Sequence, residues 1–232
     1  ETISTVDDPA NFVGAHISMA IGVDGFPVIS YQDITAFTLK VAKCNDPACT
    51  GGNETITTVD DPVTAVGWFT SITIGLDGFP VISYEDGNTG GTLKVAKCND
   101  SACTGGNETI TTVDDPANTV GYYVSMAIGS DGFPDISHQD HTAYALKVVK
   151  CNDPACTGGN ETITTVDDPV NWVGVNTSLA VGADGFPVIS YRDATALTLK
   201  VAKCNNPACG GADGTVTPAA DPILARKGVL TI

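Results

Sequence analysis

Residues 17–49 read ISMAIGVDGFPVISYQDITAFTLKVAKCNDPAC, and three further copies follow, from Ile72 to Cys103, Met126 to Cys156 and Leu179 to Cys209. Each copy holds two apolar runs on either side of an Asp-Gly pair, then a third run that ends in a Cys-x4-Cys loop. A fourth short run, ETITTVDDP, links one copy to the next. Glu1, Glu54, Glu108 and Glu161 mark a period of 53–54 residues, the extra residue falling in EDGNTGGT (Glu85–Thr92). That is longer than leucine-rich or β-helix repeats and near a propeller blade of roughly 40–50 residues.

Val, Ile, Thr and Tyr dominate and no 3.6-residue periodicity appears, so the unit is built of strands. Four are expected: a over 17–22, b over 26–32, c over 38–44 and d over 54–59. Gly25 can supply the positive φ of the a–b hairpin, and Pro27 falls at the start of b, where a missing N–H is tolerated. Strands a and b are apolar on both faces, whereas c and d grow polar. A sheet covered on both sides along its inner strands fits a blade packed radially between neighbours. The fold class expected is therefore all-β, a β-propeller of four four-stranded blades over residues 1–212, with 213–232 as a degraded fifth strand and tail.

The cysteines Cys44, Cys49, Cys98, Cys103, Cys151, Cys156, Cys204 and Cys209 form four identical loops. A local disulfide in each is the simple reading; zinc would need four converging ligands and each loop offers two. So short a ring contributes about 2 kcal/mol. Lys43 and Glu54 flank the loop and are expected to face each other across the c–d hairpin. Even, regular cysteines suit an oxidising compartment, which places the protein outside the cell or on its surface. The chain starts at Glu1 without an initiating Met or a signal-peptide pattern, which reads as a processed start.

The formal charge is −16 with eleven Lys and Arg. Phosphate binding needs clustered cations, so nucleic acid is excluded as a partner, and an anionic membrane surface is disfavoured. No apolar run approaches the roughly 18 residues needed to span a bilayer.

Four a–b–c units need four d strands, and the sequence carries five: 1–6, 54–59, 108–113, 161–166 and 214–218. Residues 1–6 are the better copy, so they are expected to complete the last blade, with Glu1 near Lys203, and to close a single four-bladed ring. A ring built from two chains is the alternative. Residues 214–218 are then surplus, either a docked terminus or a strand added to a neighbouring subunit, and a contact that does not close generates a fibre.

The pattern S-x-A-I-G-x-D-G-F-P-V-I-S-Y-x-D followed by L-K-V-A-K-C resembles the blades of secreted bacterial β-propeller repeat proteins, over residues 1–209. The resemblance implies a binding or structural role, and that the d–a and b–c loops share one face of the propeller. The Asp-Gly turn is similar to the Asp-box hairpin of sialidase-like propellers but lacks its Ser-x-Asp spacing and its Trp, so glycosidase activity is not implied.

On that loop face the framework is kept while Ala15-His16, Trp68-Phe69, Tyr122-Tyr123 and Val175-Asn176 differ at one equivalent pair, and Phe37, His141, Tyr144 and Leu197 differ in the b–c loops. Trp68, Phe69, Tyr122, Tyr123 and Trp172 are candidates for stacking on sugar rings, or they plug the space between blades. Asp33, Asp86, Asp140 and Asp193 bring carboxylates to the same face, where Ca²⁺ is a candidate ligand although no EF-hand spacing is present; no cofactor is required. Asn53, Asn107, Asn160 and Asn176 begin glycosylation acceptor triplets. In the third unit Asp135 replaces Val and His138 replaces Tyr, with His138 and Asp140 able to share a face as a weak metal or acid–base pair.

No set of nucleophile, base and orienting residue is visible. The expectation is a non-enzymatic extracellular structural propeller that self-associates, as a fibre or surface layer, through its surplus strand. The alternative is a lectin-like propeller that binds glycans or proteins through its aromatic loops, and a hydrolase centred on His138 is a third reading.

Overall fold

In the computed structural model the described residues are 1–87, 90–115, 117–168 and 170–211, together with the backbone of 215–218. Sixteen strands form four antiparallel sheets, each made of four consecutive strands. The first blade holds β1 (Val13–Ile21), β2 (Pro27–Asp33), β3 (Thr38–Lys43) and β4 (Thr55–Asp60). The second holds β5 (Val66–Ile74), β6 (Pro80–Asp86), β7 (Thr92–Lys97) and β8 (Thr109–Asp114). The third holds β9 (Tyr122–Ile128), β10 (Pro134–Asp140), β11 (Ala145–Lys150) and β12 (Thr162–Asp167). The fourth holds β13 (Val175–Val181), β14 (Pro187–Asp193), β15 (Thr198–Lys203) and β16 (Thr215–Pro218). No helix occurs among the described residues.

The hairpin turns as its residues demand. Gly22 N–H donates to Phe26 C=O at 2.8 Å, Gly25 sits at φ 82°, and Asp24 accepts from Phe26 N–H at 3.1 Å. The same turn recurs in each blade because each copy repeats the Asp-Gly pair. Strand β1 starts earlier than expected, at Val13, because a bulge with shifted register at 13–18 lets the chain pair before the apolar alternation begins.

Blades pack in sequence order, β1 on β5, β5 on β9 and β9 on β13. A separate apolar core fills each of these junctions: Val28, Leu39, Val41, Ile72 and Ile82 in the first, Val81, Leu93, Val95, Met126 and Ile136 in the second, and Leu146, Val148, Leu179 and Ile189 in the third. A serine of each inner strand ties to the next blade's backbone. Ser18 Oγ accepts from Ile72 N–H at 3.1 Å, Ser71 Oγ from Met126 N–H at 3.0 Å, and Ser125 Oγ from Leu179 N–H at 2.9 Å.

Two expectations of the sequence are corrected. Residues 1–6 do not complete the fourth blade; β16 does, pairing Lys203 with Thr215 and Lys200 with Pro218. A hairpin partner a few residues ahead closes a short loop at low entropic cost, whereas the distant terminus must close the whole ring. Strand 215–218 is therefore not surplus, and residues 219–232 lie outside the described residues. Lys43 does not meet Glu54 either. It is registered against Thr55 and reaches 2.8 Å to Asp24 of the a–b turn, as Lys97, Lys150 and Lys203 reach Asp77, Asp131 and Asp184.

All four Cys-x4-Cys pairs are disulfides: Cys44–Cys49, Cys98–Cys103, Cys151–Cys156 and Cys204–Cys209. They do more than clip a surface loop, because Cys98 and Cys103 are fully buried in the core between the first two blades. Cys98→Ala with Cys103→Ala should cost about 3–4 kcal/mol in chemical denaturation, the lost ring plus the vacated volume. The partly exposed Cys204–Cys209 pair should cost nearer 2 kcal/mol.

Candidate functional site

The bulges in the inner strands shape one end of the molecule. In β1 the bulge combines Gly14 at φ 81° with His16 at φ 51°, and Phe69, Tyr123 and Asn176 repeat the left-handed conformation at φ 50°, 53° and 53°. Bulky residues in that region carry about 1–3 kcal/mol of strain each, and such strain collects at functional sites. The bulge turns these four side chains onto a cavity of about 290 Å³ where all four inner strands meet, lined by His16, Ile17, Phe69, Tyr123, Asn176 and Thr177 among others.

From this cavity aromatic rings continue outward across the loop face. His16 lies 5.1 Å from Trp68 and 4.8 Å from Phe69, and Phe69 lies 5.3 Å from Tyr122 and 4.8 Å from Tyr123. Tyr122 stacks on His141 at 4.5 Å and 13°, His141 meets Trp172 at 5.8 Å, and Trp172 meets Tyr144 at 5.3 Å. All five aromatic candidates of the sequence, Trp68, Phe69, Tyr122, Tyr123 and Trp172, thus join one arc. His141 and Tyr144 come from a b–c loop while Tyr122 and Trp172 come from the d–a side, so these two loop sets do share a face.

Beside the arc, Trp68, Phe69, Tyr122, Gly87 and Glu85 line a smaller cleft of about 150 Å³. Here the second blade departs from its neighbours. Gln32 and Gln139 occupy the position of Glu85 in the first and third blades, and their side-chain amides donate to Val66 C=O and Val173 C=O. Glu85 is buried, and burial, reinforced by the adjacent Asp86 charge, pushes its pKa up to about 8. It is therefore held protonated at neutral pH, uncharged like the glutamines at this position in the first and third blades. Room for it comes from Gly91 in the lengthened loop, where a Cβ would lie 2.8 Å from Glu85 Oε1. The indole N–H of Trp68 is also buried in the same cleft, without an acceptor among the described residues. Sequence reasoning missed Glu85, although the comparison of Gln32, Glu85, Gln139 and Arg192 at one position contained the signal.

The other candidates fall elsewhere. Asp33, Asp140 and Asp193 each cap a b–c turn through backbone N–H groups and lie within 3.6 Å of Lys40, Lys147 and Lys200; Asp86 lies 2.7 Å from Lys94. They stand in four different blades, and among the described residues no group of three or more metal-ligating side chains converges. Asn53, Asn107 and Asn160 are exposed on the disulfide loops, while Asn176 faces the axial cavity.

The acid–base reading of His138 is corrected. The ring is fully buried at the position of Tyr31, Tyr84 and Tyr191, which donate to Asp7, Asp60 and Asp167. His138 Nδ1 accepts from Gly121 N–H at 3.3 Å and Nε2 faces Asp114 at 3.5 Å. Burial holds its pKa down at about 3, so it is a neutral packing residue.

No protein-family model matches this chain, and no curated protein matches it. Solved structures do share its fold. A protein of unknown function from Dyadobacter fermentans superposes with a TM-score of 0.62 at 9% identity, over 88% of this chain and 64% of that one. An α-L-arabinofuranosidase from Lactobacillus brevis gives 0.58 at 10%, covering 88% and 73%. The GH93 α-L-arabinofuranosidase of Fusarium graminearum, in complex with arabinobiose, gives 0.59 at 11%, covering 92% and 69%. The chain spans less than two thirds of the first of these and only somewhat more of the other two. At such identities the likeness establishes a β-propeller fold.

These findings overturn the expectation of a non-enzymatic structural protein that assembles through a spare strand. Arabinofuranosidases prominent among its structural neighbours cleave sugars, and the strand assigned to assembly belongs to the fourth blade.

Glu85 leaves a signature in stability. Its carboxyl keeps a proton in the folded chain up to about pH 8 but loses it near 4.5 when unfolded. The folded state therefore binds more protons between these values, and stability falls as pH rises through that window. Glu85→Gln removes this slope, so denaturation between pH 5 and 9 should show the variant gaining on the native chain as pH rises. Parallel curves would contradict the buried acid.

Proposed function

We propose that this chain is an extracellular carbohydrate-binding propeller that lays a glycan along the aromatic arc of its loop face. The observation that carries the reading is the unbroken series of rings from His16 to Tyr144 and Trp172. Sugar rings present apolar C–H faces that stack on aromatic side chains, and their hydroxyls need donors and acceptors. The Trp68 N–H supplies an unpaired donor in the cleft, and the Glu85 carboxyl lines the same cleft. The net charge of −16 favours neutral glycans over anionic ones by simple repulsion. Four disulfides fit the oxidising exterior.

A glycan array probed with the native chain, followed by titration of arabinobiose and the best array ligand, tests the reading. Trp68→Ala and Tyr122→Ala should each weaken binding about tenfold or more, a loss of about 1–2 kcal/mol per stacked ring. Retention of full affinity in both variants would overturn the assignment of the site.

One observation favours a second reading, cleavage of a glycosidic bond in the same cleft. A carboxylic acid that keeps its proton at neutral pH beside aromatic walls meets the requirement for a general acid. Release of new reducing ends by the native chain, abolished in Glu85→Gln while binding persists, would establish it. Binding without release of reducing ends leaves the first reading alone.

A further inference from the structure

Among the described residues three of the four possible blade junctions are filled; the fourth, between the last blade and the first, is not. The evidence is the repeat itself, which places the same residue at every junction. Ile72, Met126 and Leu179 are 5%, 7% and 7% exposed against the blade before them, while their equivalent in the first blade, Met19, is 59% exposed. On the opposite side, Leu39, Leu93 and Leu146 are fully buried by the blade that follows, while their equivalent in the last blade, Leu199, is 56% exposed. Ser18, Ser71 and Ser125 each accept a backbone N–H from the next blade, and among the described residues no such bond joins Ser178 to Met19. β1 and β13 both line the axial cavity around His16, Ile17, Asn176 and Thr177, but among the described residues they do not pack together as β1 and β5, β5 and β9, or β9 and β13 do.

We infer that these two open faces are occupied by a second copy of the chain, giving a closed ring in which the last blade of each copy packs on the first blade of the other. The surface that the first blade lacks is that of a preceding blade, and each copy carries one, with its junction residues exposed. Ile17, Met19 and Ile21 on one side and Leu199 on the other are the same apolar types that fill the three internal cores. The first blade is already fitted for a predecessor. Ser4 Oγ donates to Ala48 C=O at 3.1 Å as Thr57 Oγ1 donates to Ala102 C=O at 2.9 Å, and Tyr31 donates to Asp7 as Tyr84 donates to Asp60. Residues 4–7 thus hold the place of a preceding blade's last strand without a sheet to pair with. In the closed ring the sheet on that side is the partner's fourth blade, completed by its own β16.

Such a head-to-tail contact closes with two copies when four blades turn the chain through half a circle; otherwise it runs on as an open polymer. The inference does not rest on glycan binding.

Sedimentation equilibrium of the 232-residue chain tests it. The expected result is a discrete species of twice the monomer mass at micromolar concentration. Met19→Asp or Leu199→Asp should weaken it about 100-fold or more, because each substitution enters both junctions. Both side chains are exposed in the single chain, so each variant should melt as the native chain does once diluted to its monomeric state, where association no longer raises the melting temperature. An equimolar mixture of the two variants should form a pair that neither forms alone, since one junction in the mixture keeps both native faces. A monomer at all concentrations, a filament, or a dimer indifferent to both substitutions would overturn the inference.

Discussion

The contact on which the structure depends is that between the inner strand of one blade and the sheet before it. The inner strands of each four-stranded sheet are apolar on both faces, and a lone sheet has no core of its own. The side chain at the Met19 position and its serine neighbour solve this together. The first buries apolar area between sheets, contributing about 1.5–3 kcal/mol when fully enclosed, and the second fixes the rise between blades by accepting a backbone N–H. Repetition of that pair sets consecutive blades around an axis, and the site follows from the axis. Bulges at the same height in each inner strand then aim His16, Phe69, Tyr123 and Asn176 at one point.

Departures from the repeat are informative because the framework is otherwise constant. Three stand in the interior. His138 replaces a tyrosine and keeps its place by accepting a backbone N–H, at the cost of being held neutral. Asp135 replaces a valine and is pushed up to about pKa 6 by burial, with Lys150 at 3.1 Å opposing the shift. Glu85 replaces glutamine and is held protonated. Only Glu85 opens on a cleft with aromatic walls. The other two are enclosed by their own sheets and neighbours, so their chemistry stays structural. A titratable group becomes a site through access as much as through its pKa.

Much of this was legible in the residues. The period, the four strands of each unit, the Asp-Gly hairpin and the local disulfides are short-range features, and short-range features are what spacing encodes. The aromatic pairs were legible as well, because variable positions stand out against a constant repeat. What could not be read depends on where the chain ends meet in space. Residues 1–6 match the strand pattern better than 215–218, yet the nearer segment pairs with β15, since loop length outweighs pattern quality. Lys43 turned to Asp24 because strand register puts the a–b turn within its reach, a relation across two hairpins that linear spacing does not display. Glu85 was hidden for a similar reason: its protonation follows from burial behind the Gly91 loop.

Both tryptophans of the chain, Trp68 and Trp172, stand on the aromatic arc, at its two ends, so intrinsic fluorescence reports on the site without a label. The most direct measurement is a titration of that emission with a neutral oligosaccharide long enough to span the arc. A saturable change in intensity and wavelength, competed by the same sugar and absent with an acidic glycan of equal length, is the result that the structure predicts. Glycan binding detected by calorimetry with no change in emission would place the ligand elsewhere and contradict the account.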